Sequence, residues 1–138
     1  MPTPSIEFGP ILPELLLVGF AIVLLLGGVM VRRLSPVVLV LVSLAGIAAA
    51  AAASSWLWDS DGGATDRFGV VVRAIVLSVA AIGVVLGHHY FERSGESRVE
   101  FYPLMLLATA GMTLFAVSAD LITAFLALEI LSLSLYVL

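Results

Sequence analysis

Long apolar runs separated by short polar ones organise this chain. The runs extend from about Leu12 to Val31, Pro36 to Trp58, Phe68 to Gly87, Phe101 to Ser118 and Asp120 to Leu138. Between them lie Arg32-Arg33, the stretch from Asp59 to Arg67, the stretch from His88 to Glu100, and the Ser118-Ala119-Asp120 corner. A bilayer core about 30 Å thick takes roughly 20 apolar residues of helix to cross. Lipid offers backbone N–H and C=O groups no partner, so segments of this kind must be helical. The pattern predicts an all-α polytopic membrane protein, five transmembrane helices in one membrane domain over residues 1–138.

Composition sharpens this. Of 138 residues, 62% are hydrophobic and 12% charged, against about 45–50% and about 25% for ordinary soluble domains. So short a chain cannot hide that much apolar surface in a water-facing core, which excludes a soluble enzyme. There is no Cys, which removes disulfides, thiolate-held clusters and thiol nucleophiles. A net charge of −4, with arginine the only strong base, gives no surface for nucleic acid.

The arginines also set an expected orientation. Arg32 and Arg33 follow the first span, and Arg93 and Arg98 follow the third. Basic residues favour the cytoplasmic side, so the N-terminus is expected outside. Trp56, Trp58, Tyr90 and Tyr102 fall at span ends, where amphipathic rings suit the headgroup layer. Met1 to Gly9 has no positive region and does not read as a signal peptide. The chain is still apolar at Leu138, as expected of a fragment.

Polar groups inside the spans carry the candidate chemistry. Glu129 lies nine positions after Asp120, roughly 13 Å along the helix, near the expected membrane midplane. An acidic side chain there costs at least ~2.5 kcal/mol to insert. Ser132 and Tyr136, at i+3 and i+7, share its face, while Thr123 and Ser134 point the other way. The stripe must face protein or water. Three readings stand: a proton-carrying or charge-coupling carboxyl, a neutral carboxyl acting as interhelical glue, or a residue near a chain end. An ionised Glu129 needs a cation, which the chain beyond residue 138 is expected to supply, since Arg73 is expected to snorkel outward beside Asp66.

The remaining polar positions read as structural. Glu14, following Pro13, suits the start and dipole of the first helix. Asp120 is placed to cap the fifth. His88 and His89 diverge by about 100° on a helix, which argues against a shared metal. Small residues at four-residue spacing (Ala45, Ala49, Ala53 and Gly46, Ala50, Ser54), with Gly27, Gly28 and Gly111, mark close helix packing.

Two stretches carry a resemblance. Glu100-Phe101-Tyr102-Pro103-Leu104-Met105-Leu106-Leu107 and the run from Ala116 to Tyr136, with Leu128-Glu129-Ile130-Leu131-Ser132 at its centre, resemble the subunit N family of bacterial proton-pumping NADH:quinone oxidoreductase (complex I). That family is similar to mitochondrial NADH dehydrogenase subunit 2. Pro13-Glu14-Leu15-Leu16-Leu17 also resembles the family's opening helix. The resemblance implies an antiporter-like subunit of about 14 helices, N-terminus outside, of which this chain holds the first five. It implies no redox cofactor in this subunit, with FMN, iron–sulfur clusters and the NADH and quinone sites elsewhere in the complex.

The implied partners are the other membrane-arm subunits and the lipid bilayer, and the implied location is the bacterial inner membrane. The family's glutamate on the fifth helix pairs with a lysine on a later helix to help move a proton, and Glu129 occupies that position. Ser132, Tyr136 and Asp120 are its supporting residues. Ser134 stands where the family often has proline, which implies a straighter helix near Tyr136. Two other functions fit the residues: a subunit of a multi-component sodium/proton antiporter or membrane-bound hydrogenase, and a non-transporting membrane scaffold.

Overall fold

The computed structural model describes residues 11–31, 33–60, 67–96 and 98–138. They form five helices, α1 (Leu12–Met30), α2 (Pro36–Ser60), α3 (Arg67–Ser94), α4 (Phe101–Val117) and α5 (Leu121–Val137). Three of them, α1, α2 and α3, are long and apolar enough to cross a membrane; α4 and α5, of 17 residues each, are shorter apolar helices. Seventeen residues rise about 25 Å, the lower end of what spans a bilayer.

The sequence pattern places most helix ends within two residues, and α3 is the exception. It continues seven residues past Gly87, through His88, His89, Tyr90, Phe91, Glu92, Arg93 and Ser94. All but Phe91 carry polar groups, yet all are competent to form helix, so polarity marks where the apolar run stops and not where the helix does. At 28 residues α3 is about 42 Å long, longer than a hydrocarbon layer about 30 Å thick. It ends at Gly95, whose φ of 71° is the left-handed conformation that glycine adopts without penalty. The Gly95 N–H donates to the Phe91 carbonyl at 3.1 Å.

Four helices form a square. α1 packs on α2 and α4, α3 also packs on α2 and α4, and α2 touches α4 across one diagonal. α1 and α3 stand at the other two corners, in little direct contact. The core is built from Leu17, Ala21 and Leu24 of α1, Leu39, Ile47 and Ala50 of α2, Leu77, Ala80 and Val84 of α3, and Tyr102, Leu106 and Ala110 of α4. Of the two small-residue ridges on α2, Gly46 and Ala50 with Ser54 are buried, whereas Ala45 is exposed. α5 packs along α4 outside the square. Buried hydroxyls bond back to their own helices: Ser43 to Leu39, Thr109 to Met105, Thr113 to Thr109 and Ser134 to Ile130.

The outer faces remain apolar. Val23, Leu26 and Val29 of α1 and Ile75, Val79, Ile82 and Leu86 of α3 are all exposed. An apolar surface this continuous is foreign to a water-soluble monomer.

Candidate functional site

The deepest charged site among the described residues joins opposite corners of the square. Glu14 lies in the first turn of α1 and is 4% exposed; Arg73 lies on α3 and is 2% exposed. Arg73 Nε donates to Glu14 Oε1 at 2.9 Å and Nη2 donates to Oε2 at 3.0 Å. This fork-on-carboxylate geometry satisfies both oxygens in the guanidinium plane. The expectation that Arg73 snorkels outward is overturned; Asp66, its expected neighbour, lies outside the described residues. Glu14 sits in the first turn of α1, as expected, and its side chain is in addition a buried ion-pair member.

The physical reason is register. The buried positions of α3 are Gly69, Arg73, Leu77, Ala80 and Val84, and those of α1 include Glu14, Leu17, Ala21 and Leu24. Both charges therefore fall on the stripe that turns inward, at three- and four-residue spacing. Snorkelling needs a side chain on the outer face. That spacing is the signal which could have paired the two from sequence.

Glu129 presents the opposite situation. It is the ninth of the 17 residues of α5, so about 12 Å of helix lies on either side of it. The face of α5 against α4 holds the buried Ala127 and Ser134. Glu129, Ser132 and Tyr136 are all exposed, Tyr136 by 90%. At about 100° per residue they cluster on the side away from Ala127. The stripe therefore forms as the sequence pattern predicts and looks out of the five-helix unit. Among the described residues the ion pairs are Arg73–Glu14 and Arg98–Glu96, and Glu129 belongs to neither.

Asp120 is bound into the start of α5. Its Oδ1 accepts from the Thr123 backbone N–H at 2.7 Å, and its Oδ2 accepts from the Thr123 hydroxyl at 2.8 Å. The Thr123 backbone N–H first, and then its hydroxyl, hold the Asp120 carboxyl below the ordinary aspartate range. This N-cap fixes where α5 begins, and with it the height of Glu129.

At the end of the bundle where α1 leads into α2 and α3 into α4, a cavity of about 460 Å³ is lined partly by Arg33, His88, Glu92, Glu96, Arg98 and Tyr102. The Tyr102 hydroxyl and His88 Nδ1 lie 3.4 Å apart there, while His89 is exposed. Its charges are mixed, and Arg98 already meets Glu96 at 3.3 Å.

Apolar helices bundled through small residues, a buried arginine–glutamate pair and a carboxylate at the middle of an apolar helix define a multi-pass helical membrane protein. Comparison with known proteins makes this specific. The chain is similar to NADH-quinone oxidoreductase subunit N of Trichlorobacter lovleyi, 36% identical over 97% of this chain and 29% of that protein. It is likewise similar to NADH-quinone oxidoreductase subunit N 2 of Roseiflexus castenholzii, 38% identical over 87% of this chain and 25% of that protein. With NAD(P)H-quinone oxidoreductase subunit 2 of Gloeothece citriformis it shares 33% identity over 96% of this chain and 27% of that protein. The chain belongs to the family of NADH-quinone oxidoreductase subunit N and NAD(P)H-quinone oxidoreductase subunit 2. It spans less than a third of the length of these relatives. No family model and no solved structure matches it.

Proposed function

We propose that this chain is part of a membrane-arm subunit of a bacterial NADH:quinone oxidoreductase in the cell membrane. There it helps carry protons across the bilayer while other subunits pass electrons from NADH to quinone. The supporting observation is the setting of Glu129: an exposed carboxyl midway along an apolar helix, on the side away from the buried Ala127 and Ser134.

In hydrocarbon an unpaired carboxylate is untenable. Glu129 must hold a proton or face a cation supplied by a neighbouring element. A cation that approaches and withdraws makes the carboxyl release and regain a proton, which is the elementary step of a charge-coupled proton site. Ser132 and Tyr136 supply hydroxyls along the same face and can pass a hydrogen bond along it. Asp120 sets the height of the helix. FMN, iron–sulfur clusters and the quinone site are assigned to other subunits, and the partners are those subunits and lipid.

The test is Glu129→Gln in the intact complex with the full-length subunit. NADH-driven acidification of inverted membrane vesicles should fall while the amount of assembled complex stays near native. Native pumping per assembled complex would refute the proposal and leave Glu129 as interhelical glue. Acidification that NADH cannot drive at all, with a sodium gradient driving it instead, would favour an antiporter subunit.

A further inference from the structure

Where α4 and α5 meet, two backbones touch. A Cβ built on Gly111 of α4 would lie 2.9 Å from the backbone nitrogen of Leu131, 3.1 Å from its Cα and 3.1 Å from the carbonyl oxygen of Ala127. At the other described glycines where an added Cβ meets anything, the nearest atom belongs to a side chain: Leu34, Val99, Phe20, Val117, Met105 or Phe101. Side chains can rotate aside. A helical backbone cannot.

The turn pressed against Gly111, from Ala127 to Leu131, is the turn that carries Glu129. Ala127 is fully buried, and two residues along the helix Glu129 points about 160° away from it. Gly111 thus lies directly behind the carboxylate, with the α5 backbone between them. The start of α5 is held independently by the Asp120 cap. Depth in the membrane is therefore fixed at the corner, and lateral reach is fixed at Gly111.

We propose that Gly111 is a positioning residue for Glu129: its missing side chain sets how far the carboxylate projects towards the groups it exchanges charge with. This rests on the proton-transfer reading of Glu129. Non-bonded carbon contacts are comfortable at about 3.5–4.0 Å, so a methyl at position 111 drives the middle of α5 outward by roughly 0.6–1 Å. The carboxyl advances with it. Misplacement on that scale can cost about a hundredfold in a step that depends on geometry.

The experiment is a mutant cycle in the intact complex, scored as NADH-driven acidification of inverted vesicles per assembled complex and across pH. Gly111→Ala is expected to lower pumping by at least ~3-fold. Gly83→Ala is the control of equal size, because its new methyl meets only the side-chain tip of Met105, and it should pump as native. Glu129→Asp withdraws the carboxyl by one methylene. Combined with Gly111→Ala it should recover at least ~2-fold over the product of the two single effects, because the outward shift offsets the shorter arm.

A purely architectural glycine predicts reduced complex content, native pumping per complex and no recovery in the double variant; that result overturns the proposal. If Glu129→Gln is silent, the proton-transfer reading fails and this proposal with it. If Glu129→Gln is damaging while Gly111→Ala is silent or strictly multiplicative with Glu129→Asp, only this proposal fails. Should Gly111→Ala prevent assembly, Ala127→Ser adds one atom to the buried residue whose carbonyl faces Gly111 and carries the same cycle.

Discussion

Removing Glu14 should damage this protein more than removing Arg73, although each removal breaks the same ion pair. The two bonds, 2.9 and 3.0 Å, join side chains 4% and 2% exposed. Breaking one side of such a pair costs about 3–5 kcal/mol, because the survivor stays buried after losing this counter-charge. The survivors differ. A stranded carboxyl can take up a proton and become neutral, whereas a guanidinium keeps its charge at any accessible pH. Glu14→Ala should therefore reach the upper part of that range and Arg73→Met the lower.

Glu14→Leu with Arg73→Met removes both charges at similar volume and should restore most of the loss, as apolar replacements of buried pairs often do. The loss is also local in origin: α1 and α3 have little else between them, so the ends of these two helices that the pair ties together should loosen first. The assay is thermal and SDS-induced unfolding of the purified subunit in detergent, with the coupling energy taken from the four-variant cycle. A coupling energy below about 0.5 kcal/mol, or equal losses from the two single variants, would refute the reasoning.

Two further outcomes follow from local geometry. The Asp120 cap has its pKa held down by Thr123, so its stabilisation is fully present above the ordinary aspartate value of about 3.9. It is lost as pH falls through the lower folded value. Thermal unfolding of the native chain should show this acid-side loss, Asp120→Asn should flatten it, and an unchanged profile in the Asn variant would assign the pH dependence elsewhere. At Gly46 an added Cβ would lie 2.9 Å from Phe20 Cγ. Gly46→Val should therefore overpack the α1–α2 contact by about 1–3 kcal/mol and Gly46→Ala by less, since Phe20 is only half-buried; equal midpoints for the two variants in the same unfolding assay would show that Phe20 does not resist.

The helices were legible because a bilayer imposes one length and one secondary structure on any apolar run. The Glu129 face was legible for a related reason: helical periodicity fixes which residues of one helix share a side, without reference to any other helix. Periodicity also put Asp120 at a cap, since capping is decided within four residues. What a single helix does not show lies between helices. Against its own helix alone, Arg73 reads as a side chain near a span end, which the ion pair overturns, and Glu14 as a first-turn acid, which holds but leaves out its partner. Their common placement on inward stripes, Glu14 in step with Leu17 and Ala21 and Arg73 in step with Leu77 and Ala80, was visible in the same sequence. The end of α3 was misplaced because hydropathy reports the membrane boundary, and the helix beyond it obeys propensity and the stop at Gly95.

The two carboxylates of the apolar helices, Glu14 and Glu129, differ in one respect that organises the rest. Glu14 belongs to a helix with neighbours on two sides of a square, and the square also contains its cation. Among the described residues, Glu129 belongs to a helix that packs chiefly on α4, through Ala127, Ser134 and the bare backbone opposite Gly111. Arg73 cannot serve both, because its guanidinium already forks onto Glu14 across the bundle. Among the described residues, then, the square holds both members of its ion pair, while α5 carries a carboxyl and no cation. A bidentate pair inside four packed helices has little freedom to change partners, whereas an acid on an exposed face answers to whatever approaches it. Charge movement should therefore track the geometry of α5 and be insensitive to the pair, so that in the intact complex the doubly apolar Glu14→Leu/Arg73→Met protein pumps per assembled complex as native. A loss of pumping in that variant at native assembly would place the pair on the proton path and undo the separation between the two sites.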